Sequence, residues 1–486
     1  MLSSHREVRF PRVIDVGGQV GMGGGAQHHD VAKRIPREEE GWMTVLREQS
    51  GVEKLQCVAS DTIPRGRFTS REFLQLEYER LWPQVWQIAC RVEELAEPGS
   101  FVEYSVGTLS LMVVKGESGR LRAFLNTCPH RGTRLADGCG RFHGEIRCRF
   151  HGWRWDLEGT NTFILDRHEF PALEPQDVGL REASVDIWGG FVFVHFGQDP
   201  QPLLEFLGPM PALLDPYHPE TMRLTGRKAT IVPANWKVVV DAFNEGYHIA
   251  ATHPELLRWK DDTALDYKVF DTHTLYGGGG EPKPSPRLGL DPEDIDQNDL
   301  LAMKIRDLVE NLPGYFGPDD LAALDEIINT PLPAGMSAGE FYLARRRQGA
   351  IDRGLDWSHL NDEQVMGGDD PLLFPNLLGP MVAGGWFAYR CRPNGDDPTT
   401  SIFELWTLQE FPECATPPQL PAIEWIPDCR EHDWGLVVNQ DLANFAAIQR
   451  GLMVPEGPGL RWNVRQEMGV RRFHEVIDRY VFGEAE

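Results

Sequence analysis

The sequence predicts an α+β protein: a small all-β domain, then a larger domain in which helices lie beside an antiparallel sheet. Three observations predict it. Between about Phe73 and Phe196 the chain alternates short β-rich runs with Gly and Pro punctuation, the pattern of a small all-β domain. Beyond residue 205, helical periodicity and strand-like runs follow one another. The 486 residues, 41% hydrophobic and 25% charged, give length for two or three cores and exclude global disorder or a fibrous fold.

Residues 1–55 hold Gly17, Gly18, Gly21 and Gly23 to Gly25, then a charged run from Lys33 to Glu40. They are expected to form a mobile tail or a segment ordered by a neighbouring subunit. The glycines do not make a dinucleotide fingerprint, since Ala26 stands where the last glycine of G-x-G-x-x-G would fall. The all-β domain, with a leading helical segment, is assigned to 56–204, with strands at Trp86–Ala89, Leu109–Val114, Leu121–Leu125 and Phe191–Phe196. The larger domain is assigned to 205–486, with helices at Val238–Ala251, Asp299–Asn311 and Val438–Leu452 and strands at Pro380–Arg390 and Ser401–Phe411.

Forty-eight Lys and Arg against seventy-three Asp and Glu leave a net charge of −25, which repels nucleic acid and anionic lipid. No apolar run approaches the ~18 residues of a spanning helix, and no signal peptide opens the chain, so a cytoplasmic location is expected. Without a secretion signal, the eight Cys argue against a disulfide framework and for a test as metal ligands.

Cys128-Pro129-His130 is followed after seventeen residues by Cys148-Arg149-Phe150-His151, giving C-x-H-x17-C-x-x-H. Each short pair supplies one thiolate and one imidazole, where a zinc finger pairs Cys with Cys and His with His. Two thiolates on one iron and two imidazoles on the other make a Rieske [2Fe-2S] centre, whose neutral imidazoles raise the potential. Cys139 lies between the pairs but outside their pattern, and is read with the other free Cys as a small packed residue.

In residues 235–254, Glu245 and His248 are three apart on one expected helix face. His253 would sit ~140° round an unbroken helix, but Pro254 disfavours helical geometry there, so the helix is expected to end and let His253 turn back. Two imidazoles are then two-thirds of a two-His, one-carboxylate site for Fe(II) with positions open for dioxygen. Asp441, Phe445, Ile448 and Leu452 form a stripe at i, i+4, i+7 and i+11. A buried Asp is costly unless it is paired or binds a cation. Asp441 is therefore the candidate carboxylate, with Asp428, Glu431 and Asp433 as alternatives. Gly335-Met336-Ser337-Ala338-Gly339 matches a nucleophile elbow, but it follows no strand, and Ser337 with Glu340 reads as a capping box opening a helix.

These motifs resemble the large (alpha) subunits of the Rieske non-haem iron oxygenases, the aromatic-ring-hydroxylating dioxygenase family. The likeness rests on Asn126-Thr127-Cys128-Pro129-His130-Arg131-Gly132 and Cys148-Arg149-Phe150-His151-Gly152-Trp153, with tight turns at the glycines and Trp153 as a shield. It extends to Asn235-Trp236-Lys237 followed by Glu-x-Tyr-His-x4-His, and to Asp441 as the distant aspartate. The resemblance implies a Rieske domain joined to a helix-grip catalytic domain, with Cys128, His130, Cys148 and His151 on the cluster and His248, His253 and Asp441 on a mononuclear Fe(II). It also implies O2 as co-substrate and NAD(P)H as indirect donor through a separate reductase and often a ferredoxin; no Rossmann or plant-type ferredoxin fingerprint is present in the chain.

The expected assembly is a homotrimer or an alpha3beta3 assembly with a small subunit, in which the cluster of one chain faces the iron of the next and Glu245 bridges His151 and His248. Hydroxylation of an aromatic or other hydrophobic ring is the first reading of the activity, with pocket walls at Phe243, Ile249, Leu377, Leu378, Trp386, Phe387 and Phe403. The second is oxidative N- or O-dealkylation of a small amine or methoxy substrate, because Glu245 stands where many ring-hydroxylating members carry Asp. A pure electron carrier is disfavoured, since both His and a suitable Asp remain.

Overall fold

The computed structural model describes residues 58, 62–278, 282–291, 295–312, 318–329, 331–412, 414–416, 418–455 and 457–483. The tail assigned to 1–55, with its glycines, lies outside them.

Ten strands cover the first domain: β1 Gln87–Arg91, β2 Ser100–Val106, β3 Leu109–Lys115, β4 Leu121–Leu125, β5 Cys139–Arg141, β6 Ile146–Arg147, β7 Arg154–Trp155, β8 Asn161–Phe163, β9 Glu182–Trp188 and β10 Phe191–His195. Seven form an antiparallel sheet in the order β1-β10-β9-β4-β3-β2-β5, and β6-β7-β8 form a small second sheet. The expected strands appear here within about two residues of their predicted ends. Between the sheets lies a separate core that includes Met112, Phe124, Ile146, Trp153 and Trp155 together with Cys128 and Cys148. Cys139 departs from expectation: it is exposed on edge strand β5.

The second domain is a nine-stranded sheet. Its strands are β11 Met222–Val232, β12 Asp266–Val269, β13 Thr274–Gly277, β14 Gly368–Leu373, β15 Leu377–Leu378, β16 Met381–Val382, β17 Gly385–Asn394, β18 Asp397–Glu410 and β19 Glu424–Ile426. They run in the order β12-β13-β14-β15-β17-β18-β11-β19, with β16 pairing β14 and β17. Every pairing is antiparallel except that of β19 with β11. The helices that shape the site are α1 Trp236–Phe243, α2 Ile249–Thr252, α3 Gln297–Asn311, α4 Pro318–Asn329, α5 Ala338–Arg353, α6 Leu436–Leu452 and α7 Met468–Phe482. Ser337 caps α5 in a capping box with Glu340, so the elbow-like motif is a helix start.

Period-two alternation on β17 and β18 explains how the sheet joins both neighbours. Trp386 and Trp406 point to the first domain, packing on Phe191 of β10 with ring centroids 5.3 and 6.0 Å away. Tyr389 and Phe403 point the other way, onto Phe243 of α1 at 4.6 and 5.9 Å. Both faces are covered, so the middle of each strand is a near-continuous buried run and not an alternating one.

Two helix expectations are corrected. The run Val238–Ala251 is not one helix: α1 ends at Phe243 and α2 begins at Ile249. At Gly246 a Cβ would lie 2.5 Å from Leu265 Cδ1 and 2.9 Å from the Tyr267 hydroxyl, so any larger residue would have to displace those two side-chain ends. On α6 the buried face is Val438, Asp441, Leu442, Phe445, Gln449 and Leu452, while Ile448 is 44% exposed. The predicted strand Pro380–Arg390 is likewise broken, into β16 and β17, by a turn in which Gly384 takes a positive φ of 87°.

Candidate metal centres

Two loops of the first domain carry the Cys and His pairs, and both close in the same way. After β4, Gly132 N–H donates to Cys128 O at 2.9 Å and Cys128 N–H to Thr133 O at 2.8 Å; after β6, Gly152 N–H donates to Cys148 O at 3.1 Å and Cys148 N–H to Trp153 O at 2.9 Å. Gly132 and Gly152 have φ of 74° and 69°, the left-handed turns expected of them. The loops bring the buried thiols of Cys128 and Cys148 into contact and set the rings of His130 and His151 4.6 Å apart. Trp153 stacks on His130 at 4.8 Å with planes 7° apart, and Phe170 stands edge-on to both rings. Burial raises the Cys148 thiol pKa, but the N–H groups of Phe150 and His151, with Cys128 and Thr133, more than offset it and the net shift is downward. Burial, His151 and Arg131 lower the His130 imidazole, which favours its neutral form. His151 Nδ1 is buried with no hydrogen-bond partner. Two thiols and two imidazoles converging around such an orphaned nitrogen fit a [2Fe-2S] cluster with mixed ligation.

In the second domain the sequence Asn235-Trp236-Lys237 anchors α1. Asn235 caps the helix by accepting from Lys237 N–H at 3.0 Å, and Trp236 packs against Trp82 with ring centroids 5.0 Å apart and planes tilted by 56°. Lys237 Nζ reaches Glu77 at 2.7 Å, both side chains fully buried. From this fixed start the chain runs through α1 into the tight passage at 244–248. There Glu245, 6% exposed, accepts from the backbone N–H groups of Tyr247 and His248.

The other oxygen of Glu245 accepts from His248 Nδ1 at 2.5 Å, and Gln440 Oε1 on α6 accepts from His253 Nδ1 at 2.6 Å. Each ring therefore spends its Nδ1–H on a carboxylate or amide and turns Nε2 inward. Asp441 Oδ1 lies 3.6 Å from His248 Nε2 and 3.1 Å from His253 Nε2. Among the described residues, His248, His253 and Asp441 are the one group of three potential ligands, all within 4.8 Å of one another. His253 Nε2 is buried and has no hydrogen-bond partner. An orphaned imidazole nitrogen facing a buried carboxylate fits a cation between them.

Burial lowers the His248 pKa, but Glu245 and then Asp441 more than offset it, so the net shift is upward. Two of the three alternative carboxylates are engaged elsewhere: Asp428 with Arg430, and Asp433 with Gly435 N–H and Asn439. One turn before Glu245, Asp241 accepts from His474 Nε2 at 3.0 Å, and His474 Nδ1 accepts from Arg67 at 3.2 Å. Burial, opposed by Lys237 and Arg67, raises Asp241 well above the usual carboxylate range.

A cavity of about 120 Å³ opens beside the triad. Of the expected walls, Phe243 and Ile249 line it. Leu377, Leu378, Trp386, Phe387 and Phe403 do not; they are buried in the main core, and Trp386 faces the opposite side of the sheet. Sequence reading missed Trp259, Lys260, Tyr276, Asp307, Asp370 and Tyr389, which do line it. It also missed Gln440, whose one available signal was its place beside Asp441 on a helix.

The chain matches the Rieske [2Fe-2S] domain over residues 85–169 and the ring hydroxylating alpha subunit (catalytic domain) over 216–303 and 335–483. It belongs to the Rieske non-haem iron oxygenases, as an alpha subunit of that family. Such subunits carry a [2Fe-2S] cluster and a mononuclear iron, oligomerise and depend on a separate reductase. The chain is 29% identical over 232 residues to the carnitine monooxygenase oxygenase subunit of Acinetobacter pittii, covering 46% of this chain and 62% of that one. It is 28% identical over 191 residues to the biphenyl 2,3-dioxygenase subunit alpha of Rhodococcus jostii, covering 38% and 42%. The match to the carnitine monooxygenase subunit thus spans about three-fifths of that relative's length. In fold it is similar to a quaternary ammonium Rieske monooxygenase in complex with L-carnitine, with TM-score 0.59, 19% identity and coverage of 88% and 99%. It is similar also to naphthalene 1,2-dioxygenase from Rhodococcus sp. bound to indole, with TM-score 0.58, 18% identity and coverage of 87% and 95%. Among the described residues no helix is long and apolar enough to cross a membrane.

Proposed function

We propose that this chain is the terminal oxygenase of a cytoplasmic multicomponent system and that it removes an N-alkyl group from a small quaternary ammonium compound by oxidation with O2. In this reading Cys128, His130, Cys148 and His151 hold the cluster, and His248, His253 and Asp441 hold the mononuclear iron. The cluster supplies single electrons, and the mononuclear iron, when bound, supplies dioxygen activation. The division of the chain at 204/205 is part of the proposal; the last strand of the first sheet ends at His195 and the nine-stranded sheet begins at Met222. Electrons derive from NAD(P)H through a separate reductase, with or without a ferredoxin. The working unit is a ring of three such chains, with or without small subunits, in which Glu245 joins His248 to His151 of the adjacent chain.

The observation that carries the substrate class is the lining of the cavity beside the triad. It mixes the rings of Phe243, Trp259, Tyr276 and Tyr389 with the Asp307 carboxylate, Asp370, whose pKa burial raises to about 7, and Lys260. Aromatic faces and carboxylates together attract an alkylated ammonium, which has no N–H to donate. The relatives named for carnitine and for glycine betaine point the same way. Ring hydroxylation is the second reading, favoured by the biphenyl dioxygenase relative and by the apolar walls Phe243, Ile249, Leu256 and Leu308.

The chain's own residues have defined tasks. Glu245 and Gln440 fix the tautomers of His248 and His253, while Leu256, Leu308 and Leu312 exclude water. The test is turnover with a surrogate reductase on a panel of trimethylammonium and aromatic substrates. Aldehyde release matched to O2 uptake from an ammonium substrate is expected, on protein holding about three irons per chain. Diol or phenol formation with no oxidation of any ammonium compound overturns the reading.

A further inference from the structure

The chain after β13 carries prolines at alternate positions, Pro282-Lys283-Pro284-Ser285-Pro286. Proline has no N–H and fixes φ, so the run is extended and stiff, and Lys283 and Ser285 hold its two backbone donors. Both are spent on one partner. Lys283 N–H donates to Trp259 O at 2.9 Å and Ser285 N–H to Leu257 O at 2.8 Å, while Pro282, Pro284 and Ser285 are buried. Residues 282–287 thus lie as a strap across the turn 256–262, just after His253. Side chains complete the fastening. Asp262, fully buried, accepts from Ser285 Oγ at 2.6 Å and from Arg287 Nε at 2.7 Å, and Lys283 Nζ lies 3.3 Å from Asp261. The Arg287 side chain is 42% exposed, so the clasp is closed from the solvent side, where water competes for the guanidinium. The other face of the same turn is cavity wall: Leu256, Trp259 and Lys260 line the space beside the triad. Trp259 is buried, and Lys260, half-buried, links that wall to the surface.

We propose that the strap is a latch on this wall: with the clasp closed the turn is held against the cavity, and when Arg287 leaves Asp262 the strap lifts and the turn swings out to admit a ligand. A wall meant to stay shut needs no buried charge, since apolar contacts would hold the turn at lower desolvation cost. A carboxylate clasped from the solvent side releases both partners into water on opening. What opposes opening is two backbone bonds, the clasp and the surface pair of Lys283 with Asp261, and local openings of this size cost less than unfolding the domain. Asp262, Ser285 and Arg287 are then positioning residues that set how fast the cavity exchanges its contents, whichever substrate class it takes.

The test reads access to the cavity without any substrate, on the iron-loaded protein. Leu312→Cys places a thiol on the cavity wall, with Leu308→Cys as a second reporter, and methyl methanethiosulfonate is the probe. Labelling of each cysteine is followed peptide by peptide, with exposed Cys139 as the control for the reagent. In the same samples hydrogen exchange is followed in the 282–286 peptide, where Lys283 and Ser285 are the residues between prolines that carry an amide N–H. Added to either reporter, Arg287→Met is expected to speed both labelling at the cavity and exchange in the strap by about tenfold, with Arg287→Lys nearer the parent. Exchange in β17 and β18 and labelling of Cys139 should not change. Faster strap exchange with unchanged cavity labelling overturns the proposal, because the strap then moves without opening the wall. Unchanged strap exchange overturns it as well, since the clasp then does not hold the strap. So does faster exchange in β17 and β18 alongside the strap, which marks a loss of stability throughout the domain.

Discussion

Asp441 is a carboxylate that makes sense as part of a set. It is 3% exposed on the inner face of α6, with two imidazole nitrogens aimed at it. Burying a carboxylate costs several kcal/mol unless a cation or hydrogen-bond donors meet it, so evolution of the fold alone would favour an apolar residue here. Asp441→Ala separates the two roles. The cluster domain has its own core, so the visible cluster absorption is expected to persist, while mononuclear iron falls from about one per chain to near zero and turnover is lost with it. Iron-free Asp441→Ala is expected to melt no lower than the iron-free parent, since the substitution removes a buried charge as well as a side chain. Retention of mononuclear iron would move the ligand role to another carboxylate. The residue was legible in the sequence because a charge sat on an otherwise apolar stripe; Gln440, one position earlier, carried no such contrast and acquires its role from the distant His253.

Elements were legible where one periodicity ran without interruption, as on α6 and β4. They were not legible where the chain turns for a tertiary reason. The apolar run from Val238 to Ala251 reads as one helix, yet α1 ends at Phe243 and α2 begins at Ile249; Gly246 in the break is the local mark of the interruption, and its packing against Leu265 and Tyr267 is the tertiary part that the run does not record. Strand parity misled in the same way, since on doubly covered strands both faces are apolar and Trp386 cannot be told from Tyr389 by hydropathy.

The β12–β13 hairpin offers a measurable consequence of such tertiary placement. His273, just before β13, donates from Nε2 to Phe206 O at 2.8 Å and accepts at Nδ1 from Phe374 N–H at 3.0 Å. Burial pushes its pKa down to about 4 from 6.5. The folded state holds it neutral while the unfolded chain protonates below about pH 6.5, so its contribution is fully present above that pH and is lost as pH falls toward 4. That displacement corresponds to about 3 kcal/mol. Urea midpoints taken between pH 7.5 and 4 are expected to fall more steeply for the parent than for His273→Gln, which keeps a donor and an acceptor but cannot titrate. Parallel pH profiles would show that the ring does not carry this dependence. Asp370 and Glu467, which burial raises to about 7, act with the opposite sign in both proteins and cancel in the comparison.

At the scale of the whole molecule, arginines hold the cluster domain against the nine-stranded sheet. On β17, Arg390 grips Glu404, directly opposite on β18, through two bonds of 2.6 and 2.9 Å. Its remaining nitrogen donates to the carbonyls of Ile88 and Ala89 on β1 at 2.7 and 2.8 Å. Two residues on, Arg392 reaches Ser105 O of β2 at 2.6 Å, and from the other side Arg91 reaches Pro219 O and Met222 O at 3.0 and 2.6 Å. Ile88 and Ala89 lie on β1, the edge strand of the first sheet, where its register with β10 shifts, so the charges satisfy backbone carbonyls that the sheet itself leaves unpaired. Burial raises the Glu404 pKa, but Arg390 and Arg392 overcome it and hold the carboxyl at about 2. Glu404→Gln removes the charge that pairs directly with the buried Arg390 guanidinium and leaves it facing carbonyls, the Tyr104 and Trp406 rings and the more distant Glu94, an expected loss of about 3–5 kcal/mol. Because the cost arises from the unpaired charge and not from lost packing, Arg390→Met combined with Glu404→Leu is expected to recover more than half of it, although the Ile88 and Ala89 carbonyls then lose their donor. The measurement is chemical unfolding followed both by cluster absorption at visible wavelengths and by far-ultraviolet circular dichroism. In the parent the two signals should change together; in Glu404→Gln the cluster signal should be lost at the same lowered midpoint. A single-variant loss below 1 kcal/mol, or a double variant no better than the single, would show that this ion pair does not couple the all-β domain to the nine-stranded sheet.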